Sequence, residues 1–85
     1  MTYLVLFDQR EVIARCDAAG NLRSFQWRGS SYTVTNVESC WRIEDGWWVL
    51  RVWREYCLVT TQERRLILLY RDLLTNRWFV ERVYN

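Results

Sequence analysis

Three cysteines, Cys16, Cys40 and Cys57, are the strongest nucleophiles in a chain of 85 residues that contains no histidine and no lysine. A cysteine nucleophile needs a neighbouring base or cation to hold it as the thiolate. Arg15 precedes Cys16, but successive side chains of a strand point to opposite faces, so the two are neighbours in sequence only. Without histidine the cysteines make no zinc ligand set, and their wide spacing contains no C-x-x-C pair. No metal and no cofactor is expected. All three cysteines fall in strand-like stretches, where the type behaves as a small buried hydrophobe. The carboxylates Glu44 and Asp45 fall in a turn-like stretch and read as a solvated acidic tip. Trp27-Arg28-Gly29 reads as a strand end followed by a turn glycine, not as a phosphate loop. No side chain is suited to general-base work at neutral pH or to Schiff-base formation, so the expectation is a protein that is not an enzyme.

Binding chemistry is better represented. All twelve basic residues are arginine, against ten acids, and six tryptophans accompany five tyrosines and three phenylalanines. A net charge of +2 is too small to imply nucleic-acid binding by itself. The arginines are nevertheless interleaved with rings, at Trp27-Arg28, Trp41-Arg42, Trp53-Arg54, Tyr70-Arg71 and Arg77-Trp78. On a strand, such neighbours face opposite ways, giving a buried ring beside an exposed arginine. A sharper arrangement has the arginines stacked on rings of the next strand, forming a cation–π surface for unstacked bases or an acidic partner. The candidate partner-binding residues are Trp47, Arg51, Trp53, Arg28, Arg42 and Arg71.

The elements that must carry these residues are strands. Hydrophobic spacing is mostly period two, with β-branched and aromatic residues between short polar breaks. Strands are expected at Tyr3–Phe7, Glu11–Cys16, Leu22–Arg28, Tyr32–Ile43, Trp47–Thr60, Leu66–Arg71 and Trp78–Tyr84. Turns fall at Asp17–Asn21, Gly29–Ser31, Glu44–Gly46, Thr61–Arg64 and Asp72–Asn76, with Leu73 and Leu74 suited to a single helical turn. The alternation slips between Val34 and Val37, which signals a β-bulge, and a second kink is expected near Arg54-Glu55. Absence of proline fits continuous ladders. The fold class expected is all-β: one domain over residues 1–85, a small antiparallel meander of about six to seven strands. It closes either as a curled sheet or as an SH3-like small barrel. No apolar run approaches the ~18 residues that span a bilayer, and the N-terminal stretch lacks the basic lead of a signal peptide. The expected location is a reducing cytoplasm, with no membrane association.

Both alternating faces are apolar in Leu66–Tyr70, in Trp47–Leu50 and in Trp78–Val80. A lone small barrel has one interior, so the second face calls for cover. That cover comes from Leu73, Leu74 and the N-terminal strand, or from another chain as a homodimer. On the long fifth strand, Trp48, Leu50, Val52, Tyr56 and Leu58 share one parity and are expected in the core. Trp47, Val49, Arg51 and Trp53 share the other and are expected to be at least partly exposed, with Trp47, Arg51 and Trp53 in the binding surface. A bulge near Arg54-Glu55 would reverse the assignment beyond it but not between 47 and 53.

Phe25-x-Trp27-Arg28-Gly29-x-x-Tyr32-x-Val34, Trp41-Arg42, Trp47-Trp48, Arg54-Glu55-Tyr56, Leu69-Tyr70-Arg71-Asp72 and Trp78-Phe79-Val80-x-Arg82-Val83-Tyr84 together resemble a bacterial domain of unknown function that occurs alone in short proteins. A related pattern closes the C-terminal end of the catalytically inactive Y-family-polymerase-like subunit of the damage-inducible mutagenic polymerase complex. The resemblance covers about Glu11 to Tyr84 and implies an accessory role, holding proteins together during translesion synthesis. It brings no active-site residues, and this chain has its own Met1 in place of a preceding polymerase body. Two function classes follow. One is a protein–protein interaction module, self-associating or binding another protein. The other is a single-stranded nucleic-acid binder that uses stacked tryptophan and arginine. A ligand-holding barrel is disfavoured because the large side chains fill the interior.

Overall fold

The computed structural model describes residues 5–7, 11–46 and 51–84, with side chains described over 11–46 and 52–84. Among the described residues seven strands are formed: β1 Val5–Phe7, β2 Glu11–Cys16, β3 Leu22–Trp27, β4 Ser30–Gly46, β5 Arg51–Thr61, β6 Leu66–Asp72 and β7 Arg77–Tyr84. Every pairing is antiparallel, and β2 to β7 close into a six-stranded barrel. The fold is therefore the barrel rather than the open curled sheet. Its seam is short: β7 meets β2 through Glu11–Phe79 and Val12–Trp78. The same edge of β7 continues against β1, from Val5–Tyr84 to Phe7–Arg82. Among the described residues no helix is long and apolar enough to cross a membrane.

Three of the turns follow from local chemistry. The carboxylate of Asp17 accepts from the backbone N–H groups of Ala19 and Asn21, and Gly20 takes φ +87°. The β3–β4 connection is a two-residue reversal at Arg28 (φ 52°) and Gly29 (φ 76°). Positive φ at both positions is the type I′ geometry whose twist suits a hairpin. The turn thus lies one residue earlier than expected, and Ser30 and Ser31 are already paired with Trp27 and Gln26. At Asp72–Asn76 the chain makes one hydrogen-bonded turn, with the Asn76 N–H donating to the Asp72 carbonyl at 2.6 Å and the Leu74 N–H to the Asp72 side chain.

Bulges then decide which residues face inward. An extra residue between the pairs Arg15–Ser24 and Cys16–Leu22 lets Leu22, Phe25 and Trp27 all point into the barrel. An extra residue opposite Leu68 and Leu69 does the same for Val80 and Val83 on β7. Two more interrupt β4 between Val34 and Asn36 and between Val37 and Ser39, where the slipped alternation predicted one. The interior holds Phe25, Val59, Ile67, Leu69, Val80 and Val83 at or near full burial, with Trp27 and Trp78 beside them. Each bulge adds local twist and bends its strand, which is how short strands wrap a core this small.

Beyond Thr33, β4 leaves β3 and continues with β5 alone as far as Gly46–Arg51. The expected turn at Glu44–Gly46 is therefore strand, with Gly46 paired to Arg51. Trp47, Trp48, Val49 and Leu50 lie outside the described residues. The kink expected at Arg54-Glu55 is absent: β5 keeps an unbroken register with β6 from Arg54 to Thr60.

Candidate functional site

The unbroken register of β5 lays out cross-strand rows that alternate between the two faces of the sheet. Trp41 of β4 lies opposite Tyr56 of β5, Tyr56 opposite Tyr70 of β6, and Tyr70 opposite Phe79 of β7. Their rings form one row across four strands, with centroids 5.6, 5.4 and 5.1 Å apart. Trp41 on Tyr56 and Phe79 on Tyr70 are stacked, at interplanar angles of 6° and 21°. The Arg54 guanidinium sits 4.4 Å above the Tyr70 ring and donates to the Tyr56 hydroxyl at 3.3 Å. Burial is the main cause that raises the Tyr70 phenol above its ordinary range.

This row lies on the outer face of the barrel. Tyr56, Leu68 and Tyr70 form a second buried cluster there, with Leu58, Phe79 and Tyr84 packed against it. The alternating apolar faces of Leu66–Tyr70 are thus both buried within the single chain: Ile67 and Leu69 belong to the interior, Leu68 and Tyr70 to the outer cluster. Leu74 is 52 % exposed and does not belong to the outer cluster. The row ends in the open: Trp41 is 40 % exposed, and Ile43, next on the same face of β4, is 43 % exposed.

The barrel interior takes the other parity of β5 from the one expected, although Tyr56 is buried as expected. Tyr56 and Leu58 belong to the outer cluster, whereas Cys57 and Val59 enter the barrel. With no bulge in β5, Trp53 shares the parity of Cys57 and Val59 rather than that of the outer surface. Trp53 is half-buried, opposite Glu44.

The adjacent inner-face row is polar. Arg42, Glu55, Arg71 and Trp78 face one another across the same four strands. Glu55 accepts from Arg42 Nε and from Arg71 Nη2, each at 3.1 Å, and the Arg71 guanidinium lies 5.6 Å from the Trp78 ring. Two of the sequence-predicted site residues, Arg42 and Arg71, therefore meet on one carboxylate. Arg28 is elsewhere, in the β3–β4 turn, over its neighbour Trp27 at 4.8 Å. Arg51 pairs with Gly46 by its backbone; its side chain and Trp47 lie outside the described residues. The expected stacking of arginines on rings of the next strand is realised by Arg54 on Tyr70 and Arg71 on Trp78.

Where β4 leaves β3, the wall opens into a cleft of about 500 Å³. Asn21 and Arg23 line one side, Val34, Asn36 and Val37 the other, with Cys40, Glu55, Cys57 and Trp78 also lining it. Cys40 and Cys57 are directly opposed, with sulfurs 2.7 Å apart. The expectation that all three cysteines are buried holds for Cys57 alone; Cys16 and Cys40 are exposed. Cys40 is exposed because β3 no longer flanks β4 at that level. Burial, with the contact to Cys40 adding to it, pushes the Cys57 thiol far above its ordinary range. Among the described residues no group of three or more histidine, cysteine, aspartate or glutamate side chains is gathered as a metal site.

The row made by Trp41, Tyr56, Tyr70 and Phe79 and the pairing of Cys40 with Cys57 do not follow from composition or from local spacing. The signal that would have found them is register. Had the β4–β5 reversal been placed after Gly46 rather than at it, Trp41 would have fallen opposite Tyr56 and Cys40 opposite Cys57. Comparison of the chain with protein-family models, curated proteins and solved structures returns no match.

Proposed function

We propose that this barrel is a non-catalytic interaction module that docks a protein partner, a second copy of itself included, on the open end of its outer aromatic row. The observation that carries the reading is the exposure of Trp41 and Ile43 together on one face of β4, at the end of a row whose other members are packed. Tryptophan is among the residue types that dominate interface hot spots, and Trp41 is backed by a stacked ring that holds it in place. A preorganised anchor of this kind loses little conformational freedom on binding. The resemblance in the sequence supplies the setting: a cytoplasmic accessory role in bacterial DNA repair or translesion synthesis, bridging proteins rather than copying DNA.

Sedimentation velocity across micromolar concentrations tests the self-association arm. Wild-type protein is expected to move toward a dimer as concentration rises, and Trp41→Ala to remain monomeric with an unchanged circular dichroism spectrum. A wild type that stays monomeric throughout removes self-association from the reading. A second reading rests on Arg54 lying on the same outer face as the exposed Trp41 ring, a pairing suited to an unstacked base. Titration with oligothymidylate distinguishes it: binding that quenches tryptophan fluorescence and weakens with a log–log salt slope of about −0.7 per phosphate contacted would replace the protein partner with a single strand.

A further inference from the structure

The cleft beside β4 contains a pair of thiols for which the aromatic row has no use. Cys40 and Cys57 are direct partners in the β4–β5 ladder, so both side chains leave the same face of the sheet. Directly opposed residues of an antiparallel pair have Cα atoms about 4.5–5.5 Å apart, within the range of about 4.4–6.8 Å that a disulfide spans. Their sulfurs are already 2.7 Å apart. We propose that Cys40 and Cys57 are a reversible thiol–disulfide site, oxidised by a low-molecular-weight disulfide such as glutathione disulfide, that ties β4 to β5 across the wall of the cleft.

The two sulfurs have different roles because their surroundings differ. Cys40 is exposed and meets the oxidant first; Cys57 is buried at 7 % exposure. Burial also raises its thiol above the ordinary range, which makes it the slower of the two to react with an oxidant in solution. In the first step the Cys40 thiolate attacks one sulfur of glutathione disulfide, forming a mixed disulfide and releasing one glutathione thiolate. In the second, Cys57 gives its proton to solvent and attacks the Cys40 sulfur, forming the Cys40–Cys57 bond and expelling the second glutathione. Two electrons pass from the protein thiols to one disulfide, which leaves as two glutathione thiols, and the overall proton count is conserved. Closure is intramolecular between groups already in contact, so the mixed disulfide is short-lived. In a reducing compartment the bond is transient, which is the usual form of an intracellular disulfide. Cys16 ends β2, and the β4–β5 ladder does not include it.

Native, fully reduced protein is incubated with a glutathione redox buffer of increasing oxidation, alkylated and digested with trypsin. Cleavage at arginine places Cys16, Cys40 and Cys57 in three separate peptides, read by mass spectrometry without reduction. The expected result is a monomer lighter by two hydrogen atoms, with the Cys40 and Cys57 peptides joined and Cys16 alkylated. In Cys57→Ala, which leaves an apolar side chain at the buried position, the expected product is a stable glutathione adduct on Cys40. Cys16→Ser is expected to oxidise as the wild type does. All three thiols remaining alkylatable in the most oxidising buffer would overturn the proposal. So would joined peptides that involve Cys16, or bonds found only in a covalent dimer.

Discussion

Replacing Tyr70 by alanine tests whether the outer cluster is a second core or a surface decoration. Tyr70 is 4 % exposed. Its ring is 5.4 Å from Tyr56 and 5.1 Å from Phe79, beneath the Arg54 guanidinium at 4.4 Å. Emptying a buried aromatic site costs about 3–5 kcal/mol, and the two ring pairs account for ~1–3 kcal/mol of that. For a domain of this size each kcal/mol corresponds to about 4–8 °C in Tm, so Tyr70→Ala should melt at least about 12 °C below the wild type. Trp41→Ala loses one stack from a residue already 40 % exposed, an effect of about 0.5–1.5 kcal/mol. Tyr70→Phe keeps the ring and should cost less than about 1 kcal/mol. Urea denaturation followed by far-ultraviolet circular dichroism reads all three without depending on the fluorescence of the tryptophan being removed. A Tyr70→Ala variant within about 1 kcal/mol of Trp41→Ala would refute the reasoning: the outer row would then be surface, and the barrel interior the whole core.

The remaining predictions concern turns and charges. Gly29→Ala forces a side chain into φ +76° with nothing within 4 Å of the new methyl, so its cost is backbone strain alone, about 1–2 kcal/mol of unfolding free energy by urea denaturation. Glu55→Gln removes the carboxylate shared by Arg42 and Arg71. Arg71 would keep its positive charge in a largely enclosed position, and the loss should be about 1–2 kcal/mol after allowance for solvent screening. Asp17 and Glu38 are held below their ordinary carboxylate ranges, Asp17 chiefly by the Asn21 backbone N–H and Glu38 by Thr60 and Asn36. A lowered folded-state pKa contributes stability that is complete above the unfolded value and lost as pH falls through the folded one. The Tm of the wild type should therefore drop between about pH 5 and about pH 2 more steeply than that of an Asp17→Asn, Glu38→Gln double variant.

The amino-acid sequence by itself determined the strand class, most strand boundaries and the presence of too much apolar surface for one barrel interior. Period-two patterning, Gly20 and Gly29 at reversals, and the slip after Val34 are local signals, and local backbone preferences are what such signals report. The β4–β5 register was decided elsewhere. Gly46 marks a turn in isolation, but its backbone is paired with Arg51 and does not adopt positive φ, so the β5 partners of Cys40, Trp41 and Arg42 change. That shift alone brings Trp41 to Tyr56, Arg42 to Glu55 and Cys40 to Cys57. Inward or outward facing was likewise set by where the extra residues fell, since one bulge moves every following side chain to the other face. Residue types announced that rings, arginines and thiols would be present. Only tertiary pairing, in which each strand takes its register from its neighbours rather than from its own sequence, made four scattered rings a row and two distant cysteines a pair.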